Sequence, residues 1–111
     1  MSGVIYKQDG DAVNYTPVAA VAAGDVVVQG TLVGVAKLPI AAGELGALHV
    51  AGIFQFPKAT GSSSAIAVGT LVYWDDSADV ATATSSGNTL IGKCTTAGTD
   101  AGATIEARLD Q

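Results

Sequence analysis

Three acids and a serine crowd one short stretch, Val68 to Thr82, which reads VGTLVYWDDSADVAT and also holds the only tryptophan, Trp74. Asp75, Ser77 and Asp79 stand at alternate positions, the spacing that opens a helix-flanked calcium loop. Such a loop next needs glycine at its sixth position and glutamate at its twelfth, where this chain has Val80 and Ser86. The stretch therefore reads as a polar tip joining strands at Leu71–Trp74 and Val80–Thr84, because Asp and Ser bond their own backbone in turns. No metal site is expected there, and Trp74 is expected at a sheet rim.

The other reactive side chains are equally dispersed. His49 is the single histidine and sits in ALHVA, with no second ligand or carboxylate beside it; a half-buried strand histidine is expected. Cys94 is the single cysteine, so no internal disulfide can form, and its setting suits a small apolar filler more than a nucleophile. Ser62–Ser64 form a Ser run without the strained elbow that activates a hydrolase serine. No phosphate-cradling glycine motif is present, and the triplet Asn14-Tyr15-Thr16 has meaning only in a secreted chain. With one His, one Cys and scattered acids, catalysis is not expected, and neither is a cofactor.

The elements that position these groups are read from composition. The 111 residues include 20 Ala, 13 Val and 14 Gly but only six aromatics, so a core built from them is lean for its length. At roughly 25 cal/mol per Å² of apolar surface, small side chains each contribute little, which favours a second copy or a partner. Five Lys plus Arg face ten Asp plus Glu, and Lys7, Lys37, Lys58, Lys93 and Arg108 stand singly. Nucleic acid and anionic membranes both need clustered cations, so neither is an expected partner. The N-terminal MSGVIYKQDGD lacks the basic and apolar segments of a signal peptide, which gives the expectation of a soluble, cytosol-made chain.

Val and Thr fill the segments between glycines, which favours short strands. They are expected at Val4–Lys7, Ala12–Pro17, Asp25–Gln29, Leu32–Leu38, Ala47–Ala51, Ile53–Phe56, Leu71–Trp74, Val80–Thr84, Thr89–Thr96 and Ala103–Leu109. In the last, Ile105, Ala107 and Leu109 alternate with Thr104, Glu106 and Arg108. Three successive valines in Asp25–Gln29 predict cover on both faces. Val18–Ala23 has helical composition but follows Pro17 and stops at Gly24, so little helix is expected. Ala22, Gly24, Val27, Val35 and Ala36 match Ala67, Gly69, Val72, Val80 and Ala81 at one constant spacing. A second echo links GVAKLPIAAGELGALHVAGI to GKCTTAGTDAGATIEARL. Together they suggest related halves, 22–53 and 67–109, across the linker FPKATGSSS (Phe56–Ser64). The expected organisation is an N-terminal arm or first strands over 1–16 and a single β domain over 17–111.

These residues also resemble a family. The pattern runs through Gly24-Asp25, the GVA of Gly34–Ala36, the AAGE of Ala41–Glu44, the GIFQFPK of Gly52–Lys58 and the VYWD of Val72–Asp75. It ends with GNTLIG at Gly87–Gly92 and the closing Ala103–Leu109. Covering about Tyr6 to Leu109, it is similar to the capsid decoration, or cement, proteins of tailed bacteriophages, a group sometimes mislabelled as recombinases. The resemblance implies an all-β fold, a compact β-barrel or jelly-roll-like sandwich, that coats the capsid exterior and holds neighbouring major capsid subunits together. It implies a virion protein made in the bacterial host cytoplasm and bringing no catalytic residues. Cement proteins occur as monomers, dimers and trimers, and the lean core favours a homo-oligomer (dimer or trimer) here.

Candidate contact residues follow from side-chain type. Val4, Ile5, Tyr6 and Tyr15 in the arm could add a strand to a capsid subunit or a sister copy. Phe54, Phe56, Pro57, Tyr73 and Trp74 suit interface anchors, or serve as the core's only bulky fillers. A rival reading makes the chain a carbohydrate- or host-surface-binding module, with Trp74, Asp75 and Asp76 on a sugar face.

Overall fold

The computed structural model describes residues 3–7, 10–61 and 64–110. Among these, nine strands form two antiparallel sheets, and no helix is present. The first sheet holds β1 (Ala12–Tyr15), β2 (Val26–Gln29), β3 (Leu32–Val35) and β4 (Gly46–His49) in the order β1-β4-β3-β2. The second holds β5 (Gly52–Pro57), β6 (Leu71–Asp75), β7 (Val80–Thr82), β8 (Thr89–Thr96) and β9 (Thr104–Leu109) in the order β5-β9-β8-β6-β7. The architecture is all-β and sandwich-like. It is not a closed barrel: among the described residues the outer strands β5 and β7 are linked by no ladder, and Lys58, just beyond β5, makes an isolated parallel bridge to Ala81.

Alternation decides which side of each strand is buried. In β9, Ile105, Ala107 and Leu109 are buried and Thr104, Glu106 and Arg108 are exposed. In β2, Val26 and Val28 pack on the core between the sheets, whereas Val27 joins Ala36, Ile40 and Leu48 in a smaller cluster on the far face. The valine run is thus covered on both sides by different groups. Its hairpin to β3 closes through Gly30 at φ 61, the left-handed geometry that a two-residue turn demands.

One expected strand is absent. Residues 3–7 run outside both sheets, with Val4 100% exposed, Ile5 73% and Tyr6 78%. Val4–Lys7 carries no alternation to bury and joins neither sheet among the described residues. Met1, Ser2, Gln8 and Asp9 of the expected arm lie outside the described residues, as do Ser62 and Ser63 of the expected linker. β1, by contrast, is an integral strand, registered on β4 from Ala12↔His49 to Tyr15↔Gly46.

The two sheets share a wiring. Val21 and Ile40 exchange two main-chain bonds of 2.9 and 2.8 Å, and Ile66 and Gly98 exchange two of 2.9 and 3.0 Å. Gly24 N donates to Ala36 O as Gly69 N donates to Cys94 O, and Ala36 N donates to Asp25 O as Cys94 N donates to Thr70 O. The pair Val27↔Gly34 recurs as Val72↔Gly92. By these bonds β1, β2, β3 and β4 correspond to β5, β6, β8 and β9, and β7 is extra. Val35 and Ala36 therefore have no counterpart in Val80 and Ala81: Val35 pairs within the first sheet, whereas Val80 and Ala81 lie on the outer edge of the second.

Gly92 fixes how closely β8 and β9 approach. A Cβ there would lie 1.9 Å from the Arg108 carbonyl oxygen, a main-chain atom that cannot rotate aside. Gly92→Ala is expected to cost about 3 kcal/mol, an overpacking penalty against backbone. Gly10→Ala, with no atom within 4 Å of the new methyl, should be neutral. Urea midpoints of the two variants check this.

Candidate interaction surface

Most bulky side chains proposed as anchors are structural. Phe56 is 2% exposed and Trp74 4%, with ring centroids 6.1 Å apart, and both belong to the core between the sheets. Phe54 is half-buried and meets Phe56 edge-on at 6.3 Å, with the Lys37 ammonium 5.9 Å from its ring centroid. Tyr15 and Tyr73 are half-buried in strands; Pro57 is exposed at the end of β5. Val4, Ile5 and Tyr6 are largely exposed. The sugar-face reading needs an open Trp74 ring, but this ring is enclosed and its indole N–H donates to the Asp76 carboxylate at 3.1 Å.

The acidic stretch is a hairpin tip between β6 and β7. One oxygen of Asp75 accepts from Ser77 N at 3.2 Å, Ser77 Oγ at 2.8 Å and Ala78 N at 3.2 Å. These bonds, the Ser77 hydroxyl foremost, hold the Asp75 carboxyl below the usual carboxylate range. Asp79 closes the tip in the left-handed region at φ 55, which Asp tolerates better than most residues. Cys94 is 2% exposed in the main core; burial pushes its thiol up, away from the reactive thiolate. His49 is half-buried on β4.

Sequence reasoning missed one amine–hydroxyl pair. Lys58 is 4% exposed, and its ammonium donates to Ala59 O at 2.6 Å and to Ser64 Oγ at 3.3 Å. The Ser64 hydroxyl lies 2.6 Å from Gly61 O and 2.9 Å from Asp100 O, so its proton is committed to main-chain carbonyls. Asp100 Oδ1 in turn accepts from Ser64 N and Ala65 N at 3.1 and 2.9 Å. The group ties the loop after β5 to the β8–β9 turn and leaves neither lysine nor serine poised as base or nucleophile. The signal for it was Gly98, whose missing side chain makes room for the Lys58 stem.

The exposed face of the second sheet carries a row that only the register reveals. Ile53 pairs with Arg108, Arg108 with Lys93, and Lys93 with Leu71. Two aliphatic side chains thus flank two of the chain's five cations, all exposed, in a protein of formal charge −5. Arg108 makes only a 3.8 Å contact with Asp110. On the first sheet's loops, Val18, Leu38 and Leu45 are also exposed; the Val21–Ile40 bonds and the 2.8 Å bond from Gly43 N to Pro17 O tie these loops together. Each stands near a proline or glycine in a loop, where an aliphatic residue has no strand face to fill.

The geometry is that of a surface rather than a reaction centre, and the family comparison agrees. A family model described as phage cement protein matches residues 7–109. The chain belongs to the phage cement protein family. Membership gives it a structural role in the phage capsid and a place in the virion, and points away from an enzyme. No curated protein and no solved structure matches the chain.

Two measurements test the local chemistry. Asp100→Ala removes the acceptor of two main-chain N–H groups and should lower stability by about 1–2 kcal/mol in urea unfolding. Carboxyl NMR titration should find Asp75 below the ordinary aspartate range, with Ser77→Ala moving it back up. Because the native value is the lower one, the stabilisation is complete above the ordinary range. It disappears as pH falls through the native value.

Proposed function

We propose that the chain binds the exterior of a phage capsid as a homo-oligomer, cements neighbouring major capsid subunits and so stabilises the head. The observation that carries this reading is the family match across residues 7–109. A small body that spans several subunits must be released from all of them at once, so modest contacts are multiplied by effective concentration. Binding the assembled lattice in preference to free subunits stabilises that lattice by mass action. The acidic balance suits a face toward solvent.

The row Ile53–Arg108–Lys93–Leu71 supports a capsid contact, since it joins apolar area to cations that are otherwise scarce. It suits a subunit surface offering carboxylates beside apolar groups. The residues named from the sequence divide in this reading. Val4, Ile5, Tyr6 and Pro57 are accessible for contact, Tyr15, Phe54 and Tyr73 partly so, and Phe56 and Trp74 support the body from within.

Capsids stripped of this protein should release DNA at a lower temperature than decorated ones, and adding purified protein should restore the difference. The double variant Lys93→Glu/Arg108→Glu should co-sediment less with expanded capsids, more clearly at low salt. Capsids whose heat resistance is the same with and without the protein would refute the cementing role.

A further inference from the structure

The wiring shared by the two sheets points to a position that is filled in one and open in the other. β2 corresponds to β6 through the Gly24/Gly69 and Val27/Val72 bonds. The outer edge of β6 is covered by the short antiparallel strand β7, registered from Tyr73↔Thr82 to Asp75↔Val80. The outer edge of β2 has no strand beside it among the described residues. Its sequence, Val26-Val27-Val28-Gln29, lacks the lysine, proline or bulge with which proteins blunt an exposed edge. The two-residue turn makes Gln29–Leu32 a hydrogen-bonded pair, so Val27 and Gln29 bond β3 while Val26 and Val28 aim their N–H and C=O groups outward. Beside this edge opens a cleft of about 490 Å³, walled by Val26, Phe54, Phe56 and Trp74 and rimmed by Asp25 and Asp79.

We propose that the Val4–Lys7 arm of a second copy lies antiparallel along β2 and occupies this edge, as β7 occupies the edge of β6. In that register Val4 faces Gln29 and Lys7 faces Val26. Ile5 then sits with Val28 on the cleft side, and Tyr6 sits with Val27 on the side of the smaller cluster. Lys7 arrives next to Asp25, on a rim whose two carboxylates outnumber the nearby Lys37 ammonium. The exposure of Val4, Ile5 and Tyr6 is removed by the same step that pairs the open edge.

The chain's own arm does not reach. β1 and β2 are the outermost strands of the first sheet, so a strand beyond β2 lies four spacings from β1, about 19 Å. From Lys7 to Ala12 a fully extended chain covers at most about 18 Å in a straight line, and the path must also round the sheet. Each copy therefore donates one arm and accepts one, which closes either as a reciprocal pair or as a ring. This inference concerns the protein in solution and does not rest on capsid binding.

The test joins mass with position. Multi-angle light scattering should give a whole-number oligomer for the full chain and a monomer after deletion of Gly3–Lys7. Lys7→Glu should weaken self-association by about two- to fivefold, as expected for one partly exposed ion pair. Position is read by mixing two differently tagged single variants, Val4→Cys and Gln29→Cys, under mild oxidation; a disulfide then forms only between copies. Val4→Cys mixed with Asn14→Cys, on the opposite edge strand, should not link. A monomeric full chain, an oligomer that survives the deletion, or equal linking in both mixtures would overturn the proposal. A monomer whose arm deletion abolishes capsid co-sedimentation would overturn it too, and would assign the arm to the capsid with the cementing role intact.

Discussion

The packing of Phe56 and Trp74, both from the second sheet, against Val33 and Val35 of the first is the centre of the core between the sheets. Ala, Val and Gly make up 47 of the 111 residues, and none of them spans the gap between two layers, which is about 10 Å. Phe56 from β5 and Trp74 from β6 reach into it from the second sheet, their rings 6.1 Å apart, and Phe54 meets Phe56 edge-on from the cleft side. Every aromatic ring used in this way is a ring withheld from the surface. The body can be thin because its few large side chains are spent inside, which leaves aliphatic and basic groups on the exposed face of the second sheet.

That division explains what the sequence made legible. Strand existence was readable wherever alternation and glycine punctuation agreed: β8 coincides with Thr89–Thr96, and β9 shows the alternation of Ile105, Ala107 and Leu109. The missing strand at Val4–Lys7 shows the limit, since β-forming residues make a strand only where an edge is offered. Boundaries slipped at prolines and loops, as where Leu32–Leu38 shortens to end at Val35. The family likeness, readable across nearly the whole chain, matches the family model's span.

The proposed contact row was much less legible. Ile53, Lys93, Arg108 and Leu71 are far apart in sequence and become neighbours only through the registers of β5, β9, β8 and β6. Side-chain size drew attention to Phe56 and Trp74 instead, because bulk signals both a hot spot and a core filler, and only burial separates the two. The constant-spacing echo misled at its end, where matching Val35-Ala36 to Val80-Ala81 follows composition; the hydrogen bonds follow the second echo, which aligns Gly34 and Ala36 with Gly92 and Cys94 of β8. The extra hairpin around Asp75–Asp79 displaced the true correspondence.

Cys94 is the molecule's sole thiol. Sealed in the interior with its proton firmly held, it offers oxidants no accessible sulfur and neighbouring copies no bridge to form. Cohesion founded on packing and pairing alone is indifferent to whether the surroundings are reducing or aerated. A particle leaving a living cell for open water would carry this component across that boundary with its one thiol unaltered.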